Sequence, residues 1–227
     1  MSDELWTVQL GTVEYREAAA LQEALRARVL ARELPDVVLL LEHPPVYTLG
    51  RRSTEADLPM GEAWYRAQGI DVVQTDRGGK LTYHGPGQLV GYPIVPITDV
   101  VAYLRTMEEA IVAALAEEGI AAGPRDGLTG VWVEDRKIGS IGVHVARGVT
   151  THGFAINVDN DLQPFEWIVP CGIENVRMTS LYKETGLLDR MKCFRKRMAW
   201  RFAEAYGLRQ RLVSTDRLLG APVASVA

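Results

Sequence analysis

Apolar residues alternate with polar or small residues in three consecutive segments between residues 130 and 158. Short polar turns, Glu134-Asp135 and Arg147-Gly148, separate the segments. A period of two indicates strands with one buried face, and turns this short join antiparallel neighbours. The chain is therefore predicted to build an antiparallel β-meander whose apolar face other elements must cover. The alternating positions are Val131 and Val133, then Ile141, Val143 and Val145, then Phe154, Ile156 and Val158.

Helical periodicity supplies the elements that cover this sheet. The continuous apolar run Val37–Glu42 is typical of a buried strand, and residues 72–75 are a shorter candidate. Because helices and strands are interspersed along the chain, we predict a single α/β domain with local antiparallel pairing. Residues 1–212 are expected to form it, and residues 213–227 to be a loosely ordered tail. Helices are predicted over residues 14–33, 99–118 and 189–206, with a short one near 61–68.

Composition and charge exclude several classes of protein. Of the 227 residues 47% are apolar and 24% are charged, and the net charge is −4, which argues against a general nucleic-acid binder. The longest aliphatic run, Val37–Leu41, is far shorter than the ~18 residues of a membrane span. No secretory signal is expected at the N-terminus, so we predict a cytoplasmic protein. Two cysteines exclude a disulfide framework but leave a single bridge open.

Glycine and proline collect in the segment RGGKLTYHGPGQ at residues 77–88. This segment is either a glycine-rich hairpin turn or a ligand-binding loop, and its many hydrogen-bonding side chains favour the loop. It lacks the P-loop and dinucleotide-binding patterns, so phosphate binding is not the first hypothesis. Two further breaks, at residues 137–142 and 152–155, would open a slot on one face of the meander. Ser140 lacks the preceding glycine of a hydrolase nucleophile elbow.

The two cysteines differ in their sequence context. Cys193 lies in an apolar helical stripe, where burial as a small hydrophobe is expected. Cys171 lies between a proline and a glycine, on a turn that either packs the thiol or presents it to a cavity. A thiol of pKa near ~8.5 needs a cationic neighbour to react at neutral pH. Lys137 is a candidate neighbour, although spacing alone does not prove contact.

The four histidines lack the paired spacing of a metal site, and no metal is expected. His84 and His152 fall in the glycine-rich segments and are candidates for ligand contact. His43 and His144 are interpreted as structural or surface residues.

Four stretches together match one family. They are LEHPPVYTLG at residues 41–50, RGGKLTYHGPGQLVGYP at 77–93, and the segments 130–157 and 164–181. In these the chain resembles the octanoyltransferases of lipoate biosynthesis, also called lipoyl(octanoyl) transferases. The resemblance implies the α+β catalytic domain shared with biotin and lipoate protein ligases, a mixed and largely antiparallel sheet flanked by helices.

The resemblance also implies an activity, an acyltransferase without a cofactor. Such enzymes move an octanoyl group from octanoyl-acyl carrier protein to a lysine of lipoyl domains, as in 2-oxoacid dehydrogenases and the glycine cleavage H protein. The nucleophile would be Cys171, which forms a thioester, and Lys137 would lower its pKa and serve as a possible base. The implied acyl pocket comprises Arg77, Gly78, Gly79, Lys80, Leu81, Thr82, Tyr83, His84, Ser140, Ile141, Gly142, Gly153, Phe154 and Ala155.

Other readings of the same residues remain open. An ATP-dependent lipoate or biotin ligase of the same fold would need a nucleotide loop and no nucleophilic cysteine. A non-catalytic binding protein would tolerate loss of Cys171 and Lys137, and a cysteine hydrolase would pass the acyl group to water. The chain is expected to be a monomer.

Two groups of cations are candidates for attracting the acyl carrier protein, which is acidic. One is Arg51 and Arg52, and the other consists of the helix residues Arg190, Lys192, Arg195, Lys196, Arg197 and Arg201.

Overall fold

The computed structural model describes residues 3–168 and 176–220, which form two sheets and six helices within those ranges. The strands are β1 (Glu4–Thr12), β2 (Asp36–Glu42), β3 (Val46–Leu49), β4 (Asp71–Gln74), β5 (Thr82–His84), β6 (Gln88–Ile94), β7 (Gly123–Arg125), β8 (Leu128–Val133), β9 (Arg136–Ala146), β10 (Val149–Asn157), β11 (Arg177–Met178) and β12 (Arg209–Leu212). The helices are α1 (Tyr15–Leu30), α2 (Glu62–Ala67), α3 (Val100–Ala116), α4 (Leu181–Thr185), α5 (Met191–Ala205) and α6 (Thr215–Leu219).

The large sheet is mixed and largely antiparallel, as predicted. Its order is β12-β1-β2-β6-β10-β9-β8-β7, with β11 beside β9. Strand β1 pairs in parallel with β12 and β2, and the pairs from β2 to β7 are antiparallel. The predicted meander is confirmed as β8, β9 and β10. Its two turns place Glu134 and Arg147 at φ values of 54° and 51°, a region that non-glycine residues adopt mainly in tight turns.

The apolar run in β2 is buried because the large sheet is covered on both faces. Val38 and Leu40 pack into a cluster with α3 and α5, whereas Val37, Leu39 and Leu41 pack into another with α1. A strand between two helical layers has no polar face, which explains why its sequence is continuous rather than alternating.

A smaller sheet, β4-β3-β5, lies beside the large one and has its own apolar cluster. Tyr47 of β3 packs between the rings of Tyr65 and Tyr83, at centroid distances of 5.0 and 5.6 Å. The loop from β4 to β5 contains the first part of the glycine-rich segment, residues 77–81, so this sheet positions that loop against the large sheet.

In the C-terminal third the structure differs from one prediction and from the described part of another, since residues 221–227 of the predicted tail lie outside the described residues. Residues 213–220 are not loosely held: α6 forms there and buries Leu218 completely against α1 and β1. Cys193 is exposed rather than packed, because the buried stripe of α5 runs through Phe194, Met198 and Phe202, one position further round the helix.

Candidate active site

A cavity of about 680 Å³ opens between the glycine-rich loop and the face of β9 and β10. Most residues proposed from the sequence line it, although they come from three separate segments. Gly142 and Gly153, the two predicted breaks, lie directly opposite each other in the β9–β10 register. The predicted residues that line the cavity are Lys137, Arg77, Gly78, Gly79, Lys80, Thr82, His84, Ser140, Ile141, Gly142, Gly153, Phe154 and Ala155.

Leu81 and Tyr83 do not line the cavity, so this part of the prediction is wrong. Side chains of a strand alternate between its faces, and Thr82 and His84 take the face toward the cavity. Leu81 and Tyr83 take the opposite face and pack into the apolar cluster of the small sheet, where they are 0% and 4% exposed.

The glycine-rich loop is held against β9 by close backbone contact. The Gly78 N–H donates to the carbonyl oxygen of Val143 at 2.9 Å. A Cβ atom on Gly142 would lie 2.9 Å from the Gly78 oxygen, and one on Gly50 would lie 2.5 Å from the Gly79 oxygen. These glycines are therefore required because another backbone occupies the space of a side chain.

Arg77 is buried beneath this loop, and its guanidinium donates to fixed acceptors. It is 8% exposed. Its Nη2 donates to the carbonyl and, at 2.9 Å, to the hydroxyl of Thr48, while Nε donates to the same hydroxyl at 3.3 Å. Its Nη1 donates to the Gly78 carbonyl at 3.1 Å. The planar fork of arginine suits such a set of acceptors.

The hydrogen bonds around His84 fix its tautomer. The Gln88 amide nitrogen donates to the Tyr83 carbonyl, so its oxygen faces His84 Nδ1, which must donate at 2.7 Å. His84 Nε2 is then an acceptor for the Thr48 hydroxyl at 3.3 Å. Burial and the neighbouring His43 hold the pKa of His84 well below its usual value, so the ring is neutral. The neutral His84 ring thereby orients the Thr48 hydroxyl, which accepts the hydrogen bonds from Arg77.

A second polar chain approaches the cavity from α1. Asp76 Oδ1 accepts from His152 Nε2 at 2.7 Å, and His152 Nδ1 accepts from the Tyr15 hydroxyl at 3.3 Å. His152 has a φ of 57° and its backbone N–H donates to Gln22. Burial lowers the pKa of His152 although Asp76 opposes that change, and burial raises the pKa of Tyr15 to about 12.

Lys137 lies at another wall of the cavity, on β9, and is 3% exposed. Its ammonium is 5.4 Å from the ring centroid of Trp132 on β8, a cation–π distance. Gly130 has a φ of 127°, and a Cβ there would lie 2.7 Å from Lys137 Cε. The Gly130 N–H is held at 2.8 Å by the buried carboxylate of Glu108. Lys137 therefore occupies a space that only glycine at position 130 leaves open.

Cys171 lies outside the described residues. The chain after that segment returns beside Lys137, because Met178 of β11 pairs with Lys137 of β9 and the Thr179 N–H donates to the Lys137 carbonyl at 3.0 Å.

Sequence reasoning missed several lining residues. Tyr15 and Tyr92 come from α1 and β6, and apolar side chains come from α3 and from the start of β8. The sequence around these residues shows only the apolar pattern of buried helices and strands, so no local motif identifies them as lining residues. Among the described residues, no helix is long and apolar enough to cross a membrane.

Comparison with known proteins assigns the family. The lipoyl protein ligase A/B catalytic domain family matches residues 14–203. A relative from Salinispora tropica named octanoyltransferase is 48% identical over 192 residues, covering 81% of this chain and 87% of its own length. The octanoyltransferase of Mycobacterium tuberculosis is 50% identical over 185 residues, covering 78% of this chain and 76% of its own.

Solved structures agree on the fold. A bipartite lipoate protein ligase from Thermoplasma acidophilum superposes with a TM-score of 0.74 at 18% identity, covering 96% of this chain and 90% of that one. A lipoate-protein ligase A bound with ATP gives a TM-score of 0.73 at 19% identity, covering 97% and 92%. The family match and the relatives near 50% identity lead to one conclusion: the chain belongs to the octanoyltransferases of the lipoyl protein ligase A/B catalytic domain family.

Proposed function

We propose that the protein transfers an octanoyl group from octanoyl-acyl carrier protein to a lysine of a lipoyl domain, through a thioester on Cys171. The observation that carries the proposal is Lys137, a buried cation on the wall of a cavity whose other walls include apolar strand residues. The relatives named octanoyltransferase support the acyl group, and the family match supports an acceptor in protein lipoylation.

The first half-reaction moves the acyl group between two sulfur atoms. The Cys171 thiolate attacks the donor's thioester carbonyl, the bond to the carrier sulfur breaks, and the departing carrier thiolate takes a proton from the Lys137 ammonium, which becomes neutral. Lys137 favours the attacking thiolate by its opposite charge. Because one thioester replaces another, no nucleotide is needed to activate the acyl group.

The second half-reaction forms an amide. The amine of the acceptor lysine attacks the Cys171 thioester, and the bond to sulfur breaks so that the thiolate is restored. The attacking nitrogen loses one proton, and Lys137 in its neutral form accepts it as general base. A single lysine thus serves both halves by changing its protonation state.

The apolar part of the cavity supplies the binding energy for the chain. The apolar side chains that line it include Ile141 of β9, Phe154 and Ala155 of β10, and Leu104 and Leu128. Burying the roughly seven apolar carbons of an octanoyl group at ~0.8 kcal/mol each would contribute about 5 kcal/mol. That is enough to favour an octanoyl group over a short acyl group.

Intact-mass analysis after incubation with octanoyl-acyl carrier protein tests the thioester. We expect one octanoyl adduct that hydroxylamine removes and that Cys171→Ala abolishes. Cys193→Ala is the matched control, because Cys193 is exposed on α5 and should leave the adduct unchanged. An adduct that survives Cys171→Ala, or transfer that needs octanoate and ATP, would contradict the proposal and favour the ligase alternative.

A further inference from the structure

Every charged side chain that lines the cavity in the described structure is cationic. They are Arg51, Arg52, Arg77, Lys80 and Lys137. Among the described residues no carboxylate lines the cavity, although the whole chain carries a net charge of −4. A local positive potential on an acidic protein indicates an anionic ligand or partner.

The transferred acyl group does not account for these charges, because an octanoyl thioester is neutral. Lys137 is used by the proposed chemistry, and Arg77 is buried among its acceptors. Lys80 lies 3.6 Å from the buried Asp57 carboxylate. Arg51 and Arg52 remain, and both are exposed at the opening of the cavity, with no carboxylate partner in the described part of the chain. We call these two side chains the cationic rim.

The backbone of the cationic rim is fixed although its side chains are exposed. The Arg51 N–H donates to the Arg77 carbonyl at 3.0 Å, and the Arg52 N–H donates to the Gly79 carbonyl at 3.1 Å. The rim therefore keeps its place relative to the ligand loop. Two charges held at a cavity opening orient an incoming partner, as well as attracting it.

The other basic surface of the chain is neutralised internally. On α5, Arg190 and Arg197 pair with Glu118, Arg195 pairs with Glu42, and Arg201 pairs with Glu117. The sequence hypothesis that this helix steers an acidic partner therefore loses most of its charges. Lys192 and Lys196 are exposed on the same helix and far in sequence from the rim.

We propose that the cationic rim, Arg51 and Arg52, is the docking surface for the acidic protein that carries the donor thioester. This inference rests on the proposed function. The carrier's acidic side chains contact the rim while its acyl arm enters the cavity between the glycine-rich loop and β9. The rim then accelerates association and raises affinity, and takes no part in bond making.

Three octanoyl donors separate the possible origins of the negative charge. They are octanoyl-acyl carrier protein, octanoyl-phosphopantetheine, which has the arm's phosphate without the protein, and octanoyl-pantetheine, which has neither. For Arg51→Glu/Arg52→Glu at low salt we expect KM for the carrier to rise on the order of tenfold or more. Both small donors should change by about threefold or less, and kcat with the carrier should change little.

Salt and a charge-matched variant complete the test. Wild-type KM for the carrier should rise with ionic strength, whereas the reversed variant should respond weakly because its attraction is already lost. Lys192→Glu/Lys196→Glu makes the same change of net charge on α5 and should leave KM for the carrier unchanged. Arg51→Gln/Arg52→Gln should lie between the wild type and the reversed variant, which guards against a folding defect in the reversed variant.

Several results would overturn the inference. If KM for octanoyl-phosphopantetheine rose as much as KM for the carrier, the rim would bind the phosphate of the arm. If KM for octanoyl-pantetheine rose as much, the rim residues would act on binding in the cavity. An unchanged KM for the carrier, or an equal effect of the α5 variant, would remove the docking role. Titration of the enzyme with holo-carrier protein measures docking without turnover. A wild-type enzyme that binds the carrier yet transfers no octanoyl group would contradict the proposed function and not the rim.

Discussion

Arg77 and Lys137 are two buried cations of one cavity, and the fold holds them by different means. Arg77 donates to the carbonyl and hydroxyl of Thr48 and to the Gly78 carbonyl, acceptors fixed by backbone and by a neutral histidine. Lys137 faces the ring of Trp132 in a space left by Gly130. Arg77 is oriented by hydrogen bonds to these acceptors, whereas Gly130, which lacks a Cβ, leaves the space that the Lys137 side chain occupies.

The difference matches the chemistry that each side chain can perform. A guanidinium stays charged at any pH at which a protein is folded. Hydrogen bonds to fixed acceptors can therefore hold it in place without opposing a change of charge. In the proposed reaction Lys137 gives up and regains a proton, which a lysine side chain can do at neutral pH and a guanidinium cannot. Under the proposed function, Arg77 is therefore suited to a fixed position in the cavity and Lys137 to proton exchange.

The largest expected effect is on Lys137. Lys137→Ala should lower octanoyl transfer by about 10²–10⁴-fold, the range typical of a lost general base. Lys137→Arg should lose nearly as much, because arginine keeps its proton. Steady-state transfer to a lipoyl domain is the measurement, with Lys183→Ala, at an exposed lysine of α4 that does not line the cavity, as the control. A Lys137→Arg enzyme close to wild type would mean that only the positive charge is required.

Acid should lower the free energy of unfolding through the buried neutral histidines near Arg77. His43 donates to the Val13 carbonyl, and burial lowers its pKa from 6.5 to about 4. The unfolded chain therefore binds a proton on this histidine more readily than the folded chain does. Stability from this group is complete above about pH 6.5 and falls as the pH approaches 4, by about 3 kcal/mol.

Urea unfolding at several pH values measures this loss. His43→Gln should weaken the dependence of the unfolding free energy on pH between about 6.5 and 4. His144→Gln, which alters a partly exposed histidine beside Asp76, is the matched control and should leave that dependence in place. A dependence that is the same in wild type and His43→Gln would contradict the assignment.

One methyl group at position 130 would fill part of the space that the Lys137 side chain occupies. Gly130→Ala places a Cβ 2.6 Å from the Gly139 carbonyl and 2.7 Å from Lys137 Cε, at a φ of 127°. We expect a loss of about 2 kcal/mol in unfolding free energy together with reduced transfer. Gly127→Ala also has a positive φ but open space around its Cβ, so it should cost less in both measurements. Equal costs would mean that backbone strain alone matters.

The smallest effect is expected at Thr48. Thr48→Val keeps the shape but removes the hydroxyl between His84 and Arg77, and should lower transfer on the order of tenfold by releasing the guanidinium. Thr48→Ser restores the hydroxyl and should recover most of the activity. Failure of serine to rescue would indicate that the threonine methyl group, rather than the hydroxyl, positions Arg77.

The elements of the fold were largely predictable from local pattern. Periodicity predicts the meander, the buried strand β2 and the four helices α1, α2, α3 and α5. Burial of one face makes apolar residues recur at a regular spacing. Strands β1, β3, β5, β6, β7, β11 and β12 were not recognised. Part of β5 and β6 carries the glycines and prolines of the ligand loop, which obscure strand signals. Helices α4 and α6 were missed because five residues are too few to show a period.

The site was predictable as a set of residues and not as an arrangement. The dense glycine segment and the family motifs identified most of the lining residues. They did not separate Thr82 and His84 from Leu81 and Tyr83, because the face of a short strand is set by its sheet partner. They also did not distinguish the paired arginines of α5 from the exposed rim. Ion pairs such as Arg195 with Glu42 join residues more than 150 positions apart.

The sequence by itself determined the family, the meander, the buried strand β2, the longer helices and the identity of the chemical groups, because these depend on residue type and on neighbours a few positions away. Only the tertiary structure decided how each group is held. Thr48 reaches Arg77 and His84 from another strand, and Gly130 makes room for Lys137 across β8 and β9. Such contacts depend on which backbones pack together, and packing is a property of the whole core rather than of any segment.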